Sequence, residues 1–227
     1  MTSRLTVKNE DAPIKTIRNA PSNTQNNAPN DSLLFGDYLQ KWVEIAKPNL
    51  QLSTYASYKM TAFYGLRRSE LCGMKWNSID FDKNTLTLNS SVVQTSVNGK
   101  LLLIQKDILK NASSKRTMPL IPEIKEALLK LKEQQDKNKS YFKNGYNQQY
   151  LDYVWVDDIG KLVNPNTVTC HFKSFLEQHG LPKIRFHELR HSCASLLIAC
   201  GVSLKEIQEW LGHSAISTTA DIYSHLN

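Results

Sequence analysis

The 227-residue chain has few cysteines and no long hydrophobic run. Its four cysteines form no Cys-x-x-Cys pair, and we interpret them as reduced thiols of a cytoplasmic protein. No stretch approaches the roughly 18 consecutive apolar residues of a transmembrane helix, which argues against a membrane span. Hydrophobic residues still make up 41% of the chain, so a folded core is expected.

Acidic residues are also scarce relative to basic ones. The chain has 21 Asp and Glu against 28 Lys and Arg, a formal net charge of +7, and a pI near 9.1. Such a balance favours an anionic partner, most often nucleic acid, although a basic enzyme without such a partner has the same charge balance.

The composition changes along the chain. The first 31 residues are predicted to be a disordered segment, because the stretch 20–30 is rich in Asn, Pro and Ser and has no apolar periodicity. A helix is predicted over Phe35–Lys47, ended by Pro48, and a second helix begins at Ser53.

The middle of the chain changes to the period of β-strands. Apolar residues alternate over 85–88, and Val92–Ser96 and Leu101–Gln105 flank Asn98-Gly99, a two-residue hairpin turn. A third strand is predicted over Arg116–Ile121. The fold class is therefore α+β and mainly α-helical, with a small antiparallel three-stranded sheet.

The rest of the sequence has the signals of helices. Pro122 is suited to open a helix, and Ser203 and Glu206 form a capping box. The predicted helices are Pro122–Lys137, Asn166–Gln178, His187–Cys200, Ser203–Gly212 and a short one that begins at Thr218 and carries Tyr223.

Several polar residues in these segments suit one chemistry. Arg67 and Arg190 lie on separate predicted helices, and two guanidinium groups can bind the non-bridging oxygens of a phosphodiester and offset the charge of its transition state. The hydroxyl of Tyr223 is a suitable nucleophile if a base accepts its proton. A lysine on a hairpin can protonate the leaving oxygen. No metal or other cofactor is required.

A different class of enzyme is also compatible with part of the sequence. The string from His187 to His191 matches the His-Glu-x-x-His pattern of zinc hydrolases, with Glu188 as the base. Glu209 or His213 lies at a plausible separation for a third ligand. This hypothesis leaves Arg67 and Tyr223 without a role.

Taken together, the motifs resemble those of the tyrosine recombinase family of phage integrases, and in particular the integrases of conjugative transposons and other mobile elements. Gly65-Leu-Arg67-Arg-Ser-Glu70 resembles the first arginine box, and His187-Glu-Leu-Arg190 the His-x-x-Arg box. Leu211-Gly212-His213 followed by Tyr223 resembles the terminal box. The stretch from Lys110 to Leu120 is similar to the lysine hairpin.

The resemblance implies roles for individual residues in cleaving and rejoining double-stranded DNA. Tyr223 would form a 3′-phosphotyrosyl bond, while Arg67 and Arg190 bind the phosphate. His187 would accept a proton. The remaining implied roles are a general acid, a hydrogen bond to the phosphate and support of the site, for Lys110, His213 and Glu70 respectively. Lys115 is a weaker alternative to Lys110.

The sequence departs from the family pattern before the first arginine box. Only 32 positions separate Phe35, which resembles the opening of a helical core-binding domain, from Arg67. We therefore expect residues 32–60 to be a remnant of that domain, and residues 61–227 to be a catalytic domain that lacks its first helix and C-terminal tail. An internal deletion near Met60 and Thr61 would explain this.

These departures leave two functions open. One is an integrase that is impaired by truncation and assembles as a homo-oligomer on DNA. The other is a non-catalytic DNA-binding remnant that acts as a decoy.

Overall fold

A computed structural model of the chain describes Ile45, Pro48 and residues 50–106 and 114–224, with the backbone alone for residues 221–224. The predicted disordered segment 1–31 lies outside the described residues. Of the helix predicted over Phe35–Lys47, Ile45 is described, and it is helical. Pro48, the predicted end of that helix, is also helical, so the prediction that Pro48 ends it is wrong.

The described residues form an α+β fold dominated by helices, which confirms the predicted fold class. Short 3₁₀ turns lie at Trp76–Ser78 and Lys143–Gly145. The elements in chain order are α1 (Leu52–Tyr64), α2 (Arg68–Gly73), β1 (Ile79–Asp80), β2 (Thr85–Leu88), β3 (Ser91–Val97), β4 (Lys100–Lys106), β5 (Arg116–Pro119), α3 (Pro122–Phe142), α4 (Pro165–Gln178), α5 (Glu188–Ala199), α6 (Leu204–Leu211) and α7 (Ile216–Ser224).

Helix α1 runs without a break through the expected domain boundary at Met60 and Thr61. Residues on both sides of that boundary are buried, and Tyr58 packs edge-on against Phe172 of α4 at 5.1 Å between ring centroids. Residues 52–60 therefore share a core with the residues that follow. The division into a remnant up to residue 60 and a catalytic domain from residue 61 stays a prediction.

The turn between α1 and α2 requires a glycine. Gly65 has φ +61°, and a Cβ at this position would collide with Leu211 Cδ2. Any other residue would clash there and would also have to adopt the left-handed conformation. Gly65 thus lets the end of α1 lie directly against the end of α6.

The strands form two separate sheets. The hairpin β3–β4 is as expected, with Val97 opposite Lys100 across a turn in which Asn98 and Gly99 have positive φ. The three-stranded antiparallel sheet has the order β1-β2-β5, so β5 pairs with β2 and not with the hairpin. Strand β5 also ends at Pro119, two residues before the predicted end.

Most helices lie within a few residues of their predicted bounds. The capping box of Ser203 and Glu206 is present, and Gly212 ends α6 with φ +68°. Helix α4 is capped by the side chain of Asn164, two residues before the predicted cap Asn166. Helix α3 continues five residues beyond Lys137, and α7 begins two residues before Thr218.

The main core lies between α1, α3, α4 and the three-stranded sheet. A smaller cluster of Cys193, Ala194, Ile207 and Leu211 joins α5 to α6. In the described part of the chain, no helix is long and apolar enough to cross a membrane. The ends of α1 and α6 meet where the two clusters adjoin, and this position holds the polar residues described next.

Candidate active site

Arg190 on α5 is a charged residue with 2% of its surface exposed. Its Nη1 donates to the carbonyl oxygen of Gly65, and its Nη2 donates to that of Leu211 at 2.7 Å. These carbonyls lie at the C-terminal ends of α1 and α6, where helices have unpaired acceptors and a partial negative charge. Two helix ends therefore provide the partners that allow this guanidinium to be buried.

Arg67 lies at the start of α2, and its side chain is 35% exposed. Its Nη2 donates to the carbonyl oxygen of Gly212 at 2.9 Å, and its Nη1 donates to Glu70 Oε1 at 2.6 Å. Gly212 follows Leu211, so the end of α6 binds both arginines at consecutive carbonyls. The structure thus brings Arg67 and Arg190 together, although 123 positions separate them in the chain.

Glu70 is a buried carboxylate that bridges two arginines. It accepts from Arg67 on one side and from Arg116 Nη2 at 3.1 Å on the other, and it also accepts from the backbone N–H of Arg67 at 3.0 Å. Burial raises the pKa of Glu70, but Arg116 and Arg67 more than offset this, so the pKa lies below its ordinary value. Glu70 is therefore ionised at neutral pH and fixes the orientation of Arg67.

The four residues Arg67, Glu70, Arg116 and Arg190, called the arginine cluster below, carry three positive charges and one negative charge. Burial lowers the pKa of Arg190 to about 9, and the charges of Arg67 and Arg116 add to this effect, which Glu70 opposes. Arg190 therefore remains charged at pH 7. The uncompensated charge favours an anion, and it favours most an anion that gains a second negative charge during reaction.

His213 follows the end of α6, and its side chain is buried. Its Nδ1 lies 2.9 Å from Thr219 Oγ1. Burial and the charges of Arg190 and Arg67 lower the pKa of His213 to about 4. The ring is therefore neutral at physiological pH and carries one proton, on either Nδ1 or Nε2.

His187 precedes α5 and is exposed. Its ring meets that of His191 edge-on, with 5.0 Å between the centroids. Although the side chain is exposed, the residues around the ring displace part of its water, and this desolvation lowers the pKa of His187. The charges of His191, Arg190 and Arg67 lower it further. A neutral imidazole beside the cluster can accept a proton.

For two predicted site residues, Tyr223 and Lys110, the structure describes no side-chain position. Tyr223 lies in the last two turns of α7, and its side chain is not described. Lys110 falls in residues 107–113, outside the described residues, whereas its alternative Lys115 is exposed just before β5. The roles of Tyr223 and Lys110 stay predictions, as do the roles of the other predicted site residues.

The zinc hypothesis finds no ligand set in the described ranges. Within them, no three His, Cys, Asp or Glu side chains come together in a way that could hold a metal ion. Glu188, the base in that hypothesis, accepts from Arg185 Nε at 3.0 Å. Of the expected third ligands, Glu209 pairs with Lys205 and His213 with Thr219.

Sequence reasoning missed two residues that bind the predicted site residues. Arg116 directly follows Lys115 and was predicted to begin a strand, without a role in the site. Its side chain is 7% exposed. Thr219 lies four residues before Tyr223, a spacing that places both on one face of a helix and could have identified it.

Comparisons with known proteins point to one family. The family model described as "Phage integrase family" matches residues 33–227. The chain is 36% identical over 171 residues to a tyrosine recombinase XerC-like protein of Caldanaerobacter subterraneus subsp. tengcongensis, which covers 71% of this chain and 43% of that protein. It is 29% identical over 183 residues to the ICEBs1 integrase of Bacillus subtilis, covering 79% and 46% respectively.

Solved structures show the same fold at lower identity. The Tn1549 transposon integrase, solved in complex with transposon right-end DNA, superimposes with a TM-score of 0.63 at 18% identity over 94% of this chain and 66% of that chain. The XerA recombinase gives a TM-score of 0.60 at 22% identity over 84% and 57%. The chain spans somewhat under half the length of the curated relatives named above.

Proposed function

The chain belongs to the phage integrase family, and we propose that it is a tyrosine recombinase that cleaves and rejoins double-stranded DNA at sites of a mobile element. The observation that carries the proposal is the convergence of Arg67 and Arg190 on consecutive carbonyls, those of Gly212 and Leu211, at the end of α6. Two fixed guanidinium groups on separate helices suit the two non-bridging oxygens of one phosphodiester.

In the proposed reaction, the Tyr223 oxygen attacks the scissile phosphorus as its proton passes to His187. The bond from phosphorus to the 5′ oxygen breaks, and Lys110 protonates that oxygen, which leaves as a 5′ hydroxyl. The DNA remains joined to the protein through a 3′-phosphotyrosyl ester. Because the ester conserves the bond energy, attack by another 5′ hydroxyl can rejoin the strand without ATP.

The arginine cluster supplies the electrostatic part of this mechanism. Arg67 and Arg190 would bind the phosphate in the ground state and bind the pentavalent transition state more tightly, because its negative charge is larger. Glu70 supports the site by holding Arg67 in place. His213 would donate a hydrogen bond to a phosphate oxygen. No metal ion has a role in these steps.

The short interval of 32 positions between Phe35 and Arg67 favours a second candidate function, a non-catalytic DNA-binding remnant. We propose that residues 32–60 are what remains of a core-binding domain, and that residues 52–60 of this remnant pack into the catalytic core as part of α1. Loss of that domain removes phosphate contacts and weakens DNA binding. We further propose that the protein acts in the cytoplasm and assembles as a homo-oligomer on DNA.

Trapping of a covalent adduct separates the two functions. The protein is incubated in chelator with nicked duplex DNA carrying the ends of the mobile element, beside Tyr223→Phe. We expect an SDS-resistant protein–DNA band from the unmodified protein and none from Tyr223→Phe. Retained DNA binding without a band would reject catalysis and support the remnant. A band that persists in Tyr223→Phe would reject the assigned nucleophile.

A further inference from the structure

The contact between His213 and Thr219 joins two parts of the proposed site. The backbone of His213 is fixed by Gln208, whose carbonyl oxygen accepts from His213 N–H at 3.0 Å and whose Nε2 donates to the His213 carbonyl oxygen at 3.2 Å. The ring Nδ1 lies 2.9 Å from Thr219 Oγ1, and Thr219 is fully buried. His213 is therefore held both at its backbone and at the Nδ1 of its ring.

The direction of this hydrogen bond decides what the ring can do. At neutral pH His213 has one ring proton, because burial and the neighbouring arginines lower its pKa to about 4. If Nδ1 carried the proton, Nε2 could only accept, and it could form no hydrogen bond with an anionic phosphate oxygen. If the Thr219 hydroxyl donates to Nδ1, the proton must lie on Nε2, and the ring becomes a donor for phosphate.

Thr219 also lies on the helix of the proposed nucleophile. It precedes Tyr223 by four residues in α7, about one helical turn, so both residues lie on the same side of that helix. The contact of the Thr219 hydroxyl with His213 therefore also holds α7 in place.

We propose that Thr219 is a positioning residue of the recombination site: its hydroxyl donates to Nδ1 of His213, fixes the Nε2–H tautomer and anchors the helix that carries Tyr223. The inference rests on the proposed function for its effect on DNA cleavage. The tautomer itself is a property of the protein without DNA and can be measured without activity.

The first test reads the tautomer by ¹⁵N NMR of the imidazole rings in the unmodified protein at pH 7. The His213 signals are assigned by their loss in His213→Gln. We expect a protonated Nε2 and an unprotonated, hydrogen-bonded Nδ1. A protonated Nδ1 would overturn the proposal without any variant of Thr219.

The second test compares variants that remove or keep the hydroxyl. Thr219→Val preserves the shape, Thr219→Ser preserves the donor, and Thr218→Val is the matched control at the exposed neighbouring position. In Thr219→Val we expect a mixture of His213 tautomers and a covalent-adduct rate that is lower by about tenfold to a hundredfold. Thr219→Ser and Thr218→Val should stay within about threefold of the unmodified protein.

The outcomes separate the two proposals. An unchanged His213 spectrum in folded Thr219→Val, or a loss in Thr219→Ser as large as in Thr219→Val, would overturn the role of the hydroxyl. If the unmodified protein forms no adduct, the proposed function fails, and the tautomer alone decides whether Thr219 orients His213. If Thr219→Val does not fold, the spectra of the unmodified protein and Thr219→Ser decide.

Discussion

The arginine cluster and the β3–β4 hairpin show opposite relations between polarity and burial. Glu70 and Arg190 are charged, yet each has 2% of its surface exposed. At the tip of the hairpin the apolar residues Val97 and Leu101 are 45% and 69% exposed. Hydrophobicity alone would predict the reverse in both places.

Available partners explain the difference. In the cluster, the carbonyl oxygens at the ends of α1 and α6 and the Glu70 carboxylate bind guanidinium groups that would otherwise be too costly to bury. The hairpin has its own backbone ladder and the turn at Asn98-Gly99, and the apolar side chains at its tip remain exposed to solvent. The guanidinium groups of Arg67 and Arg190 are thus held in a fixed orientation by hydrogen bonds to carbonyl oxygens at helix ends.

The largest expected effect is in Arg190→Lys. Lysine keeps the charge but has one nitrogen, which cannot replace two separate donors to Gly65 and Leu211. We expect a loss of about 3 kcal/mol in the free energy of unfolding, measured by urea denaturation. Arg68→Lys, at an exposed position one residue from Arg67, should change it by less than about 0.5 kcal/mol. Equal effects of the two variants would show that burial of Arg190 does not depend on its two carbonyl partners.

Arg116→Met should have the next largest effect. It removes one of the two arginines that pair with the Glu70 carboxylate in the interior, and we expect a loss of about 2 kcal/mol in unfolding free energy. Lys115→Met is the control, because Lys115 is exposed and adjacent. A double-mutant cycle that combines Arg116→Met with Glu70→Gln would measure the coupling energy between these two side chains. Additive losses would contradict the role of Glu70 as a bridge between Arg116 and Arg67.

The smallest effect is expected at the tip of the hairpin. Leu101→Ala should change the unfolding free energy by less than about 0.5 kcal/mol, because the side chain already faces solvent. Val92→Ala, at the fully buried base of the same hairpin, should cost about 2 kcal/mol. Similar losses at both positions in thermal unfolding would mean that the tip is covered in solution.

Local signals in the sequence predicted much of the fold. The capping box at Ser203, the Asn98-Gly99 turn and the glycine after α6 depend on nearby residues, and all three are present in the structure. The partner of β5 was not predictable in the same way. Strand β5 pairs with β2, about 30 positions earlier, and such a choice depends on tertiary packing that a period-two pattern does not encode.

The candidate site, like the fold, was predictable from the sequence only in part. Motif spacing identified Arg67, Glu70, Arg190 and His213, which the structure brings together at the end of α6. It did not identify Arg116, because an arginine beside a lysine in a polar stretch resembles a solvated surface. Burial of Arg116 follows from the distant carboxylate of Glu70, and no local pattern contains that information.

Because α7 is held at Thr219, a tilt of this helix about that contact displaces Tyr223. Along a helix that rises 1.5 Å per residue, the backbones of Thr219 and Tyr223 are only about 6 Å apart along the helix axis. A tilt of about 10° around that point moves the Tyr223 backbone by about 1 Å, a displacement that can cost about a hundredfold in rate. Small rotations of α7, with no change in the arginine cluster, would therefore slow the proposed cleavage by Tyr223.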